Sequence, residues 1–185
     1  MQIDSSVYFS AAFLLLVLPL DWFLSAVAAS VVHELCHIAT LYLLHGKITG
    51  IHIRVSGCML ETDRIAETKQ FFSILAGPAG SFLLLSVSRV APKIAICGLI
   101  QGIYNLIPVL PLDGGRLFQL LLFHFFPGRA EMILDMTAIV ICLFLLVFAF
   151  WMSAAVYQEI WPMVFALIWS SKVLPGKTPC KPLRF

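Results

Sequence analysis

Charge is what this chain has least of. Only 12% of its 185 residues are Asp, Glu, Lys or Arg, against 61% hydrophobic, and the mean hydropathy is +0.97. Such a balance excludes an ordinary soluble domain and points to a polytopic membrane protein. A net charge of +2 leaves no basic surface for nucleic acid, so no nucleic-acid partner is expected. No C-x-x-C pair occurs, and the five cysteines (36, 58, 97, 142 and 180) are odd in number and scattered. That argues against a disulfide framework. The first ten residues carry no Lys or Arg. A cleaved signal peptide, with Ala11–Leu20 as its apolar core and Ala26-Val27-Ala28 as its cleavage site, is therefore disfavoured against an uncleaved first span.

Long apolar runs are plentiful. Val7–Leu20 and Trp22–Leu44 read as a helical hairpin of two spans, and Phe71–Val90 and Ile94–Ile107 as spans 3 and 4. Met136–Tyr157 reads as span 5, and Ile160–Ser171 as span 6 or a shorter re-entrant piece. Leu117–Phe126 is apolar but too short to cross. Between spans 2 and 3, Lys47–Val55 alternates and is rich in β-branched residues. Ser56-Gly57 is a turn signal, and Cys58–Glu61 reads as a return strand. The expected fold is thus an all-α polytopic membrane protein of about six spans, with a small β-hairpin between spans 2 and 3. Residues 1–171 form the membrane domain and 172–185 a basic tail. Ten of the 12 Lys and Arg fall on one side of that layout. The bias predicts N- and C-termini in the cytoplasm, as in a bacterial cell membrane.

Inside the second run stands His33-Glu34-Leu35-Cys36-His37, an H-E-x-x-H pattern. On a helix His33 and His37 differ by about 40° in direction, and Glu34 lies about 60° beyond His37. Two neutral imidazoles so placed can hold Zn²⁺, and a carboxylate beside them can take the proton of an attacking water. Ionisable groups at membrane depth are costly and usually functional. A catalytic zinc normally takes three protein ligands. The candidate for the third is Asp113, in Asn105-Leu106-Ile107-Pro108-Val109-Leu110-Pro111-Leu112-Asp113-Gly114-Gly115-Arg116. There the prolines and glycines break the helix and can swing a carboxylate toward span 2. The plainer reading of Asp113 is an N-cap for a helix starting near Gly115. Cys36 lies about 60° from His33 on the side away from Glu34, as a packing residue or a group near the metal.

His33–His37, the Gly77-Pro78 span and Asn105–Arg116 together resemble the site-2 protease family of intramembrane zinc metalloproteases. The layout is most similar to the branch of stage IV sporulation protein FB, without the CBS domain that branch often carries. The resemblance implies His33, His37 and Asp113 as zinc ligands and Glu34 as general base. Asn105 matches a motif asparagine that positions substrate, though it could serve only to bond neighbouring helices. The resemblance also implies cleavage of a membrane-associated protein substrate such as a transcription factor precursor, with a regulatory membrane protein as a further partner. The hairpin would add a strand to the unwound substrate. Two positions depart from the family: Cys36, where a small residue such as Gly is usual, and Ser81, where many members have Asn. The rival expectation is an inactive relative, or a membrane zinc-binding or transport protein, which needs no Glu34.

Overall fold

The computed structural model describes residues 2–3, 18–45, 48–54, 57–62, 66–157 and 160–173. Of the expected first span, residues 7–17 lie outside the described residues, as does most of the tail. The chain divides into two compact units, Met1–Ile107 and Pro108–Phe185.

In the first unit, helix α1 spans Leu20–Leu43. Its buried residues are Ser25, Ala29, His33, His37 and Leu41, four apart, so they form one stripe. Large apolar residues such as Leu24, Val27, Val31 and Leu35 are exposed instead. Small and polar groups inward, bulky apolar groups outward, is the reverse of a soluble helix and suits a lipid surround. His45 ends the helix with φ 56, and Lys69 donates from Nζ to the Leu44 carbonyl at 3.0 Å. That cation at the C-terminal end satisfies one of the carbonyls the helix leaves open.

Two strands follow. Ile48–Arg54 (β2) pairs antiparallel with Gly57–Thr62 (β3), in a register that sets Ile51 opposite Leu60. The short strand Gln2–Ile3 (β1) adds in parallel to β2.

Helix α2 spans Glu67–Leu83 and runs on as a 3-10 turn over Leu84–Val87. It passes through Pro78 without breaking. Its buried face is made of small residues, with Ser73, Gly77, Gly80 and Ser81 among them. Helix α3 covers Pro92–Asn105 and buries Ala95, Gly98 and Gly102. A Cβ added to Gly98 would come within 2.8 Å of the Ser81 carbonyl oxygen. Small residues here let α2 and α3 approach to backbone contact.

In the second unit, Pro108–Leu112 is an irregular loop with a cis Leu110–Pro111 bond, and helix α4 begins at Asp113 and ends at Phe125. A Cβ on Gly115 would fall on the backbone of Val109 and Leu110, so the helix starts pressed against its own lead-in loop. Helix α5 covers Ala130–Trp151, continues through a wider turn over Met152–Tyr157, and is followed by helix α6, Trp161–Val173. Leu122, Ala130 and Leu134 form the buried core between α4 and α5.

The expected count of about six spans is not supported. Among the described residues three stretches are long and apolar enough to cross a membrane: Leu20–Leu43, Glu67–Val87 and Ala130–Ala155. Helix α3 has 14 residues and α6 has 13. At 1.5 Å per residue each is about 20 Å long, short of the roughly 30 Å hydrocarbon core.

Candidate metal centre

The two histidines stand at the middle of α1, 2% and 8% exposed. Their spacing places one above the other on the buried stripe, and their Nε2 atoms are 3.2 Å apart. Each ring is tied back by its other nitrogen. His37 Nδ1 donates to the Ser73 carbonyl oxygen at 2.7 Å. His33 Nδ1 is 2.8 Å from the Ser81 hydroxyl. A carbonyl can only accept, so His37 carries its proton on Nδ1 and turns a lone pair outward from Nε2.

Helix α2 supplies both anchors, and Pro78 lies on the same helix. A proline inside a helix has no N–H for the carbonyl four residues back, and its ring pushes that turn open. The carbonyl so affected is that of Ile74, and the Ser73 carbonyl that receives His37 is the one before it. Gly77 lies between the two anchors. A Cβ there would overlap His37 Nε2 and Cε1 and stand 2.8 Å from His33 Nε2. The absence of a side chain at Gly77 makes the space in which the two lone pairs converge.

That space fits a zinc ion. Two nitrogens bound at about 2.0–2.1 Å on one tetrahedral zinc are roughly 3.3–3.4 Å apart, close to the observed 3.2 Å. A carboxylate would complete the donor set chemically, the part for which the sequence offers Asp113. Asp113 is the first residue of α4 and 7% exposed. It is not the N-cap; Leu112 holds that position, without a side-chain cap bond. Glu34, next to His33 on α1, is half-buried.

Asn105 is the last residue of α3 and half-buried. Its depth follows from the pairing of α1 with α3. Lys93 at the start of α3 is ion-paired with Asp21 at the start of α1 and lies over the Trp22 ring. Further along, Ser30 Oγ is 3.4 Å from Gln101 Oε1. The two helices thus run in the same direction, and one turn beyond Ser30 and Gln101 come Glu34 and Asn105. Asn105 is therefore level with Glu34.

Cys36 faces α2. A Cβ on Gly80 would overlap its Sγ and come within 2.9 Å of its Cβ. Cys36 fills the notch that Gly80 leaves, which accounts for it as a packing residue. Sequence reasoning missed Ser73 and the role of Ser81. The only signal was that three small residues, Ser73, Gly77 and Ser81, recur at four-residue spacing on the helix that carries Gly77-Pro78.

Residues 67–146 match the profile of peptidase family M50. That stretch holds α2, α3, the Asn105–Arg116 segment and most of α5; it does not include His33–His37. Among solved structures the chain is similar to the site-2 protease from Methanocaldococcus jannaschii, at 23% identity. The alignment has a TM-score of 0.61 and covers 85% of this chain and 81% of that one. At this identity the likeness shows the fold. No curated protein matches the chain.

Proposed function

We propose that this chain is an intramembrane zinc metalloendopeptidase that cuts a protein substrate within or beside its own membrane segment. The observation that carries the reading is the pair of imidazole Nε2 atoms 3.2 Å apart on an apolar, membrane-length helix, each ring anchored through Nδ1. The match to peptidase family M50 and the site-2 protease fold support it.

His33 and His37 would hold zinc through Nε2, and Asp113 would add its carboxylate. When bound there, zinc supplies Lewis acidity toward the scissile carbonyl and makes water a usable nucleophile near neutral pH. Glu34 is the general base: its carboxylate takes a proton from the attacking water and gives it to the leaving amine nitrogen. Asn105, level with Glu34, offers an amide to the substrate backbone. A peptide bond inside a helix is shielded, so the substrate must be extended at the site. The β2–β3 hairpin is suited to receiving such a strand.

The remaining parts of the reading belong together. Both termini are cytoplasmic in a bacterial cell membrane. By its resemblance to the stage IV sporulation protein FB branch, the substrate is a membrane-associated transcription factor precursor or similar protein, with a membrane protein as regulator.

The test is co-expression with membrane-tethered transcription factors, comparing the intact chain with Glu34→Gln. The variant is expected to retain zinc and to leave the substrate uncut. Full cleavage by Glu34→Gln overturns the mechanism. Loss of zinc in that variant makes Glu34 a ligand. Retained zinc with no cleavage by the intact chain favours a zinc-binding membrane protein instead.

A further inference from the structure

We propose that Gln101 is a second substrate-positioning residue, one turn from Asn105, whose amide holds the backbone of an extended substrate. This rests on the protease reading above and extends it along the seam between α1 and α3.

Helix α3 has three faces. Ala95, Gly98 and Gly102 are buried, and the two glycines meet α2. Ile96, Ile100 and Ile103 are exposed and apolar, which suits lipid. The third face carries Lys93, Cys97, Gln101 and Asn105, four apart and all half-buried. It lies along α1. Lys93 is over Trp22 and Gln101 meets Ser30, at the same offset of 71 residues. That offset carries the row on to Asn105 opposite Glu34. The Ser30 hydroxyl donates to Gln101 Oε1 at 3.4 Å, in a contact that is exposed. Ser30 is midway along a membrane-length helix. A hydroxyl and an amide left open to hydrocarbon at that depth are costly, and polar side chains there face the bundle interior or a polar cavity. The seam therefore opens onto a polar space and not onto lipid.

An extended peptide is the occupant that fits. In a strand, residues two apart turn their N–H and C=O to the same edge, about 6.4–6.8 Å from one another. Gln101 and Asn105 are about 6 Å apart along α3. The bond to Ser30 uses one acceptor site of an amide that also has two N–H donors and a second lone pair. Such a group can meet both the C=O and the N–H of one substrate residue, as a residue on a neighbouring strand would. While Asn105 holds the residue beside Glu34, Gln101 meets the residue two places away. A helical segment offers no such groups, because its N–H and C=O bond to each other. The two amides thus select a substrate that has already unwound, and read its backbone instead of its side chains.

The test uses the full chain in detergent, loaded with zinc, and fluorescein-labelled casein as an unfolded probe. A cleavage site mapped in casein by mass spectrometry is copied into three fluorogenic peptides. One is unmodified, and the others are N-methylated on the backbone two residues before or two residues after the scissile carbonyl. Gln101→Leu keeps the bulk of the side chain and removes the amide. It is expected to hold zinc as the parent does and to cut the unmodified peptide with kcat/KM about 10-fold lower, through KM with kcat kept. The parent is expected to cut one of the N-methylated peptides about 10-fold more slowly than the unmodified one, and Gln101→Leu to treat those two alike. Ile100→Ala, on the exposed apolar face, is the control and is expected to behave as the parent. Parent-like kinetics in Gln101→Leu overturn the proposal, as does a parent that cuts all three peptides alike. A slower Gln101→Leu that still discriminates against the N-methyl group makes Gln101 a packing residue and overturns it too. An equal loss in Ile100→Ala overturns it in favour of general damage to α3. A zinc-loaded parent that cuts neither casein nor the membrane-tethered factors overturns the protease reading itself, and this inference with it.

Discussion

Gly77→Ala separates a metal seat from an ordinary helix contact, because the two predict opposite signs. In a helix interior, Gly→Ala normally stabilises by about 0.5–1 kcal/mol. Here the new methyl overlaps His37 Nε2 and stands 2.8 Å from His33 Nε2. Ordinary contact is about 3.5 Å, so His33 must retreat by roughly 0.7 Å and His37 by more. Zinc–nitrogen distances tolerate about 0.2 Å. The displacement exceeds that several-fold, so zinc binding is expected to be lost and not merely weakened. Forcing a methyl into a packed site costs about 1–3 kcal/mol. Breaking the buried His37–Ser73 bond adds about 1–3 kcal/mol. After the backbone gain, the metal-free variant is expected to be less stable by about 1–5 kcal/mol. The assays are zinc competition and thermal unfolding in detergent with metal removed. A Gly77→Ala chain that binds zinc as the parent does and melts at a higher temperature would refute the geometry.

Two further substitutions probe the packing around the site. Gly80→Ala drives a methyl into Cys36 Sγ, and is expected to cost about 1–3 kcal/mol. Adding Cys36→Gly removes both atoms in the way and should recover most of the loss, a coupling visible in a double-mutant melting series. Gly115→Ala meets the Val109 and Leu110 backbone, which cannot turn aside as a side chain can. It should disorder the start of α4 and lower zinc affinity if Asp113 is a ligand, read by the same competition assay.

Much of the candidate site was legible before any coordinates. The four-residue spacing of His33 and His37 carries its geometry within one helix, because 3.6 residues per turn fixes their relation. The break at Asn105–Arg116 was legible from its prolines and glycines. What escaped were relations between helices. Ser81 is 48 residues from His33, and nothing in a serine among glycines says that its hydroxyl meets an imidazole. Ser73 acts through its backbone carbonyl, which every residue has, so no side-chain pattern can announce it. Asp113 in front of two glycines resembled a cap, yet the helix starts one residue earlier than that reading needs. The expected spans 4 and 6 came out short for a different reason. Hydropathy reports apolar runs, whereas prolines and turns decide how much of each run is helix.

The Asp21–Lys93 ion pair supplies a ruler. It marks one end of α1, where Lys93 also lies over Trp22. His33 is twelve residues along from Asp21, hence about 18 Å at 1.5 Å per residue. From His37 to the Leu44 carbonyl that Lys69 holds is about 10 Å on the same scale. The histidines are thus unequally distant from the helix's two charged ends, and the shorter path leads to Lys69. If the chain is the protease proposed above, the water consumed in each turnover and the polar peptide end released by it have roughly half as far to travel on that side. The asymmetry gives the bilayer a working face, set by where α1 is pinned.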